Sequence, residues 1–182
     1  MVDGDFGPAT KNAVLAFQGR ERISFDGIVG PQTQSYLNSP GSVNLNRASV
    51  STIQSYIVSV FGSANAPTAE KIASCESSNN EIAINYNTNG TYDLGVFQDN
   101  TVHATNFTSY VHDMLYYTTN IQEAHTLFVQ AGGWSPWYSS QKRVSCSLML
   151  LKPRNARSRF EVYALAPGTL LGPSVGSWFC GR

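Results

Sequence analysis

Residues 75–100 read CESSNNEIAINYNTNGTYDLGVFQDN. Ahead of Asp99 the run contains three acids, Glu76, Glu81 and Asp93. Glu76 and Asp93 stand seventeen positions apart, on either side of a segment patterned as a hairpin. Ala83–Asn87 and Thr91–Leu94 are short β-prone runs flanking Thr88-Asn89-Gly90, and Asn-Gly between such runs is a strong turn signal. Glu76 closes APTAEKIASCE (66–76), a stretch that Pro67 opens as a helix with Ile72 and Cys75 facing inward. A carboxylate at a helix C-terminus meets the negative pole of the helix, which disfavours ionisation, and burial acts in the same direction. Asp93 is expected on the second strand, in an Asn-rich setting that suits a charged carboxylate. One acid set to hold its proton and another set to hold its charge form the pair that glycoside hydrolysis requires. The first protonates the leaving oxygen; the second attacks or stabilises the oxocarbenium-like centre.

Two acids alone read as solvated surface residues. The surrounding pattern singles these out. E-S-x-x-N at 76–80, N-x-N-T-x-G at 85–90 and D-x-G-x-x-Q-x-N at 93–100 together resemble C-type lysozyme over 25 consecutive residues. The resemblance implies a general acid at Glu76 and a nucleophile or charge stabiliser at Asp93. It also implies supporting and sugar-binding roles for Asn85, Gln98 and Asn100. The opposed settings of the two acids are those of lysozyme itself, so that part of the argument is borrowed from the family. GGWSPW (132–137) resembles the segment that lines the cleft opposite the hairpin. Trp134 aligns with a tryptophan that keeps the catalytic Glu dry and offers a face to a sugar ring. Trp137 stays open between cleft and core.

Three cysteines, Cys75, Cys146 and Cys180, fit no zinc pattern, and His103, His112 and His125 are not spaced as ligand pairs. A disulfide between two of the three would leave one over. A Cys-Glu start with a later Cys after G-W-S-x-W is similar to bacterial and phage members of the lysozyme superfamily, which implies a Cys75–Cys146 bridge. Cys75 as a nucleophile is the rival reading, although no His stands in a recognisable cysteine-hydrolase motif.

The first forty residues repeat one turn: DGDFGPAT (3–10) returns as DGIVGPQT (26–33). Each copy carries Pro at what should be a first helical position, where its missing N–H costs nothing. The first helix is expected to align Ala9, Ala13, Val14 and Phe17 on one face; the second is shorter and carries Tyr36 and Leu37. The doubled D-G-x-x-G-P-x-T pattern resembles the peptidoglycan-binding domain of wall hydrolases. That family has a helix before the first D-G turn, so the resemblance implies a partial module over residues 1–38, with apolar surface left uncovered.

NSPGSVNLN (38–46) lies at a Ser/Asn/Gly-rich junction, read as a linker over 39–49. A helix is predicted over Ser51–Phe61, with Ile53, Ile57, Val60 and Phe61 on one face and a stop at Gly62. Thr119–Gln122 reads as a helix start with a capping box, followed by a stripe of Ile121, Ala124, Phe128 and Ala131 that ends at Gly132-Gly133. The fold class expected is therefore α+β: a mainly helical lysozyme-like domain over 50–146 with a small β-hairpin, preceded by a small helical module. The tail at 147–182 has no clear period and receives no site.

The 182 residues are 42% hydrophobic and 13% charged, with a formal net charge of zero. Such a balance gives no electrostatic case for nucleic acid or an anionic membrane, and no apolar run reaches the length of a membrane span. No signal peptide is visible at Met1-Val2-Asp3-Gly4. The expected protein is a monomeric, extracellular or wall-associated enzyme without cofactor or metal, acting on peptidoglycan glycan strands. Its leading reaction is muramidase cleavage of the β-1,4 bond between N-acetylmuramic acid and N-acetylglucosamine. A lytic transglycosylase using Glu76 alone and a non-catalytic wall-binding protein are the other readings.

Overall fold

The computed structural model describes residues 4–43 and 45–138. Helices α1 (Pro8–Glu21) and α2 (Pro31–Leu37) come first, then the long α3 (Val50–Ser77). Strands β1 (Ile84–Tyr86), β2 (Tyr92–Leu94) and β3 (Asp99–Asn100) follow, with a 3-10 turn at Thr101–His103. Helices α4 (Phe107–Met114), α5 (Tyr117–Gln130) and α6 (Ser135–Tyr138) complete the described chain. The architecture is the expected one, mainly helical with a small antiparallel sheet. The sheet has three strands in the order β1-β2-β3, one more than the hairpin read from the sequence.

Ser49 caps α3, its hydroxyl oxygen accepting from Thr52 N at 3.1 Å. Gly62, at φ 70° and ψ 163°, breaks α3 into two arms where the sequence places a stop. Pro67 lies inside the second arm rather than opening it. Ile53, Ile57 and Phe61 of the first arm and Ala66, Ala69 and Ile72 of the second bury against Val96, Phe97, Ile121, Ala124 and Trp137. Full burial of one Ile or Phe contributes roughly 1.5–3 kcal/mol, so this cluster dominates the hold on α3.

Three local readings need correction. Helix α5 starts at Tyr117, and Thr119 is not its cap. The Thr119 hydroxyl instead bonds the carbonyl oxygens of Asp113 and Tyr116, fastening the α4–α5 corner. In α1, Ala9 and Ala13 are exposed, while Leu15, Ala16, Phe17, Gln18, Gly19 and Arg20 are all buried. The second half of α1 is enclosed on all sides, so its apolar periodicity is a poor guide to what is inside. Ala131, at the end of the α5 stripe, is exposed.

A second core explains that enclosure. Leu15 and Ala16 pack with Ile84, Leu94, Val111, Met114 and Leu115. A β-carbon on Gly19 would meet Leu115 Cδ1 at 2.6 Å and Val111 Cγ1 at 2.8 Å, so α1 and α4 approach closely at this glycine and a larger residue there would displace those side chains. The apolar face of α1 is thus covered by α4 and β1. Residues 39–43 and 45–49 contain no helix or strand, yet the N-terminal repeat does not hang on them alone.

Arg20 and Glu81 fasten the same junction from inside. Both are buried, with Arg20 Nη2 3.4 Å from Glu81 Oε2. The guanidinium donates to Leu115 O at 2.7 and 3.1 Å and lies 4.6 Å over the Tyr116 ring. Glu81 accepts from Ala48 N at 2.6 Å and from Tyr117 N at 3.1 Å, the latter at the start of α5. Cys146, Cys180 and the 147–182 segment lie outside the described residues.

Candidate functional site

Strand register gathers the polar residues of the hairpin. Asn85 pairs with Asp93, and Asp93 pairs with Asn100. Side chains alternate along a strand, so these three share one face of the sheet, while Ile84 and Leu94 face the second core. Asn100 Nδ2 donates to Asp93 Oδ1 at 2.6 Å, and Asn85 Nδ2 donates to Asp93 Oδ2 at 3.3 Å. The connecting loop continues the network. Asn85 Nδ2 reaches Asn87 Oδ1 at 3.1 Å, and Asn87 and Asn100 both donate to Thr91 Oγ1, at 3.2 and 3.1 Å. Asn87 and Thr91 were not singled out from the sequence, although both lie in or beside the N-x-N-T-x-G turn.

Glu76 is the penultimate residue of α3 and is half-buried. Its neighbour Ser77 donates to Val96 O at 2.8 Å and accepts from Asn80 N at 3.0 Å. The end of α3 is thereby tied to the loop that follows β2. Ser78 (φ 56°) and Asn79 (φ 59°) turn the chain sharply away beyond it. Cys75 is disulfide-bonded, which removes it as a nucleophile.

The loop from Gly95 to Gln98 is rigidly held. Asn120, buried on α5, donates to Leu94 O at 3.0 Å and accepts from Phe97 N at 2.9 Å. Gly95 has φ 71°, and a methyl group there would run into the Met114 carbonyl oxygen. Gln98 (φ 55°) donates through Nε2 to Gly95 O at 2.9 Å and Ala83 O at 3.3 Å, bracing both sides of the hairpin. Asn120 carries no motif signal, because a polar residue on an amphipathic helix ordinarily faces water.

Trp134 and Trp137 lie together in an aromatic cluster. Trp134 is half-buried, stacked on Phe61 at 5.3 Å and 4.4 Å from Phe128 by ring centroids. Trp137 is buried and donates through Nε1 to Phe97 O at 3.1 Å, which is the core position of the two left open for it. On α4, burial and the charges of Asp99, Glu123 and Asp93 push the Tyr110 phenol well above its usual range. Among the described residues no group of three or more His, Cys, Asp or Glu is arranged to hold a metal ion.

The N-terminal repeat has its own geometry. Gly7 and Gly30 cap their helices with nearly the same angles, φ −85° and −82° with ψ −176° in both, and each is followed by Pro. Thr10 Oγ1 donates to Asp5 O and Thr33 Oγ1 to Ile28 O, both at 3.2 Å. Gln18 is the hub of the second turn. Its Nε2 donates to Asp26 Oδ1, Ile28 O and Thr33 Oγ1, at 2.9, 3.0 and 3.1 Å. Its Oε1 accepts from Asp26 N at 3.1 Å and Gly27 N at 2.8 Å.

Residues 1–37 match the family model of the peptidoglycan binding domain. This match supports peptidoglycan as a partner and is consistent with association with the cell wall. No curated protein and no solved structure matches the chain. Within the module, the Ile28 N–H and then the Gln18 amide hold the Asp26 carboxyl below its ordinary range, which ties the module's turn to a charged Asp26.

Proposed function

We propose that this protein is a peptidoglycan hydrolase, a muramidase that cuts the β-1,4 bond between N-acetylmuramic acid and N-acetylglucosamine. The observation that carries the reading is the Asn85–Asp93–Asn100 row, in which two side-chain amides grip both oxygens of one carboxylate on a shared sheet face. In this reading Glu76, at the end of α3, protonates the leaving oxygen, and Asp93 attacks or stabilises the developing positive centre. Asn85 and Asn100 fix the carboxylate, Gln98 braces the turn beneath it, and Trp134 provides apolar cover from the α5–α6 corner. The peptidoglycan-binding module raises the local concentration of substrate.

Glu76→Gln is expected to abolish the turbidity loss of purified cell walls, and Asp93→Asn to lower it strongly. Wall clearing by Glu76→Gln at the wild-type rate would remove the acid from the scheme. The reading of a wall-binding protein without catalysis is favoured by one finding, that the matched family covers the binding module alone. Capture on sacculi with no reducing sugar released by the wild-type chain would establish that reading instead. Product masses separate hydrolysis, which adds water, from transglycosylation, which leaves 1,6-anhydro-muramic ends.

A further inference from the structure

A cavity of about 280 Å³ opens where the binding module meets α4. Gly19, Arg22, Ser24, Phe25 and Gln32 line it from the module, and Phe107, Thr108 and Val111 from α4. The matched family ends at residue 37, so one wall of this cavity belongs to a part of the chain some seventy residues further on. The close contact of α1 and α4 at Gly19 makes its floor. We infer that this composite cavity binds the peptide stems of peptidoglycan rather than its sugars. The inference rests on peptidoglycan as the partner, and not on the hydrolytic reading.

Three features of the cavity select a peptide. The first is shape. Phe25 and Phe107 meet at 5.9 Å with their planes 67° apart, which makes an apolar corner suited to methyl side chains. The edge-to-face pair forms a cleft between two rings rather than one flat surface on which a sugar ring would stack. The second is charge. Arg22 carries a guanidinium at the rim, and its fork fits the free carboxylates of a stem peptide but has no complement in an N-acetylglucosamine ring. Its nearest carboxylate, Asp113, stands at 3.8 Å with both side chains about half exposed, an arrangement that a ligand carboxylate can displace.

The third feature is placement. Arg22 caps α1 in the left-handed region, at φ 57° and ψ 35°, where glycine would sit without strain. The guanidinium is thereby directed to His112 Nδ1, 3.1 Å away on α4, and the side chain bridges the two walls. Gln32 is likewise fixed, its Oε1 accepting from Ser24 N at 3.3 Å, so its amide is oriented beside the corner. Amide and hydroxyl groups next to an apolar corner match the alternation of peptide bonds and methyl groups in a stem.

The test is calorimetric titration of the full chain with synthetic L-Ala–γ-D-Glu–L-Lys–D-Ala, and separately with the N-acetylglucosamine tetramer. The peptide is expected to bind saturably and not to be displaced by the tetramer. Arg22→Gln should weaken it at least tenfold and Thr108→Val severalfold; both residues are exposed, so circular dichroism should be unchanged. Phe107→Ala should weaken it as well, and if that variant unfolds the two surface variants decide. Absence of peptide binding at millimolar concentration, wild-type affinity in Arg22→Gln, or displacement by the tetramer would overturn the inference. Peptide binding by a chain that clears no wall would sink the hydrolase and keep this site; clearing without peptide binding would do the reverse.

Discussion

Among the described residues, Asp93 takes its position from side-chain amides. Asn100 makes the shorter of the two bonds, at 2.6 Å, and its own Oδ1 accepts from Val102 N at 2.8 Å, capping the 3-10 turn. One side chain therefore joins β3, the hairpin and the next turn. A hydrogen bond to a charged group contributes about 1.5–3 kcal/mol, so under the proposed hydrolase reading Asn100→Ala is expected to slow wall clearing about 10- to 100-fold. Circular dichroism of the variant should match the wild type. Clearing at the full rate would mean that Asp93 holds its place without Asn100. The motif D-x-G-x-x-Q-x-N names Asn100, but a two-residue strand has no period from which its register could be read. Its place opposite Asp93 exists only once three strands have paired. Trp137 is a similar case: one indole serves a cleft or a core equally well on paper, and its bond to Phe97 O is long-range.

Elements divide into those marked by local chemistry and those made by distant partners. The Asn-Gly turn, the Gly62 break and the doubled D-G-x-x-G-P-x-T turns are local, and each is legible as residues 83–94, 62 and 3–33 stand. Helix α4 is partly so. Asn106 caps it by accepting from Ser109 N at 3.0 Å, and Phe107, Tyr110, Val111 and Met114 follow at helical spacing, so both cap and stripe are local. Gln18 was not legible, because glutamine in a helix reads as surface. It makes five hydrogen bonds to the second turn. Gln18→Leu keeps the volume and removes them all, leaving the buried Gly27 N–H and its neighbours unsatisfied. The expected cost is about 2–4 kcal/mol in urea denaturation, with faster amide exchange at Gly27. An unchanged midpoint would show that the turn does not depend on this hub.

At the scale of the molecule, the module and the body share a core. A Ser- and Gly-rich junction over 39–49 reads as a linker, and its described residues form no helix or strand; nothing in the sequence marks Arg20 and Glu81 as a buried pair, since buried ions are rare. The contacts that join module and body are not legible in the sequence, for one reason. Leu15, Ala16 and Arg20 find their partners on β1, β2, α4 and the turn before β1, far along the chain, where no local pattern reports them. The Arg20–Glu81 pair then becomes a test of how many cooperative units the chain has. Removing one partner of a buried ion pair costs about 3–5 kcal/mol, because the other charge stays buried without it. For a chain of this size that corresponds to a fall of about 6–20 °C in Tm. Replacing Arg20 by Met also removes the donors to Leu115 O, whereas Glu81 keeps its bonds from Ala48 and Tyr117. If module and body unfold together, scanning calorimetry of Arg20→Met should give one transition, displaced as a whole. A module hung on a flexible connection would give two transitions, of which only one moves. The shared core around Leu15, Val111 and Leu115 requires the first outcome, and with it a binding surface held in fixed orientation to the Asp93 face of the sheet.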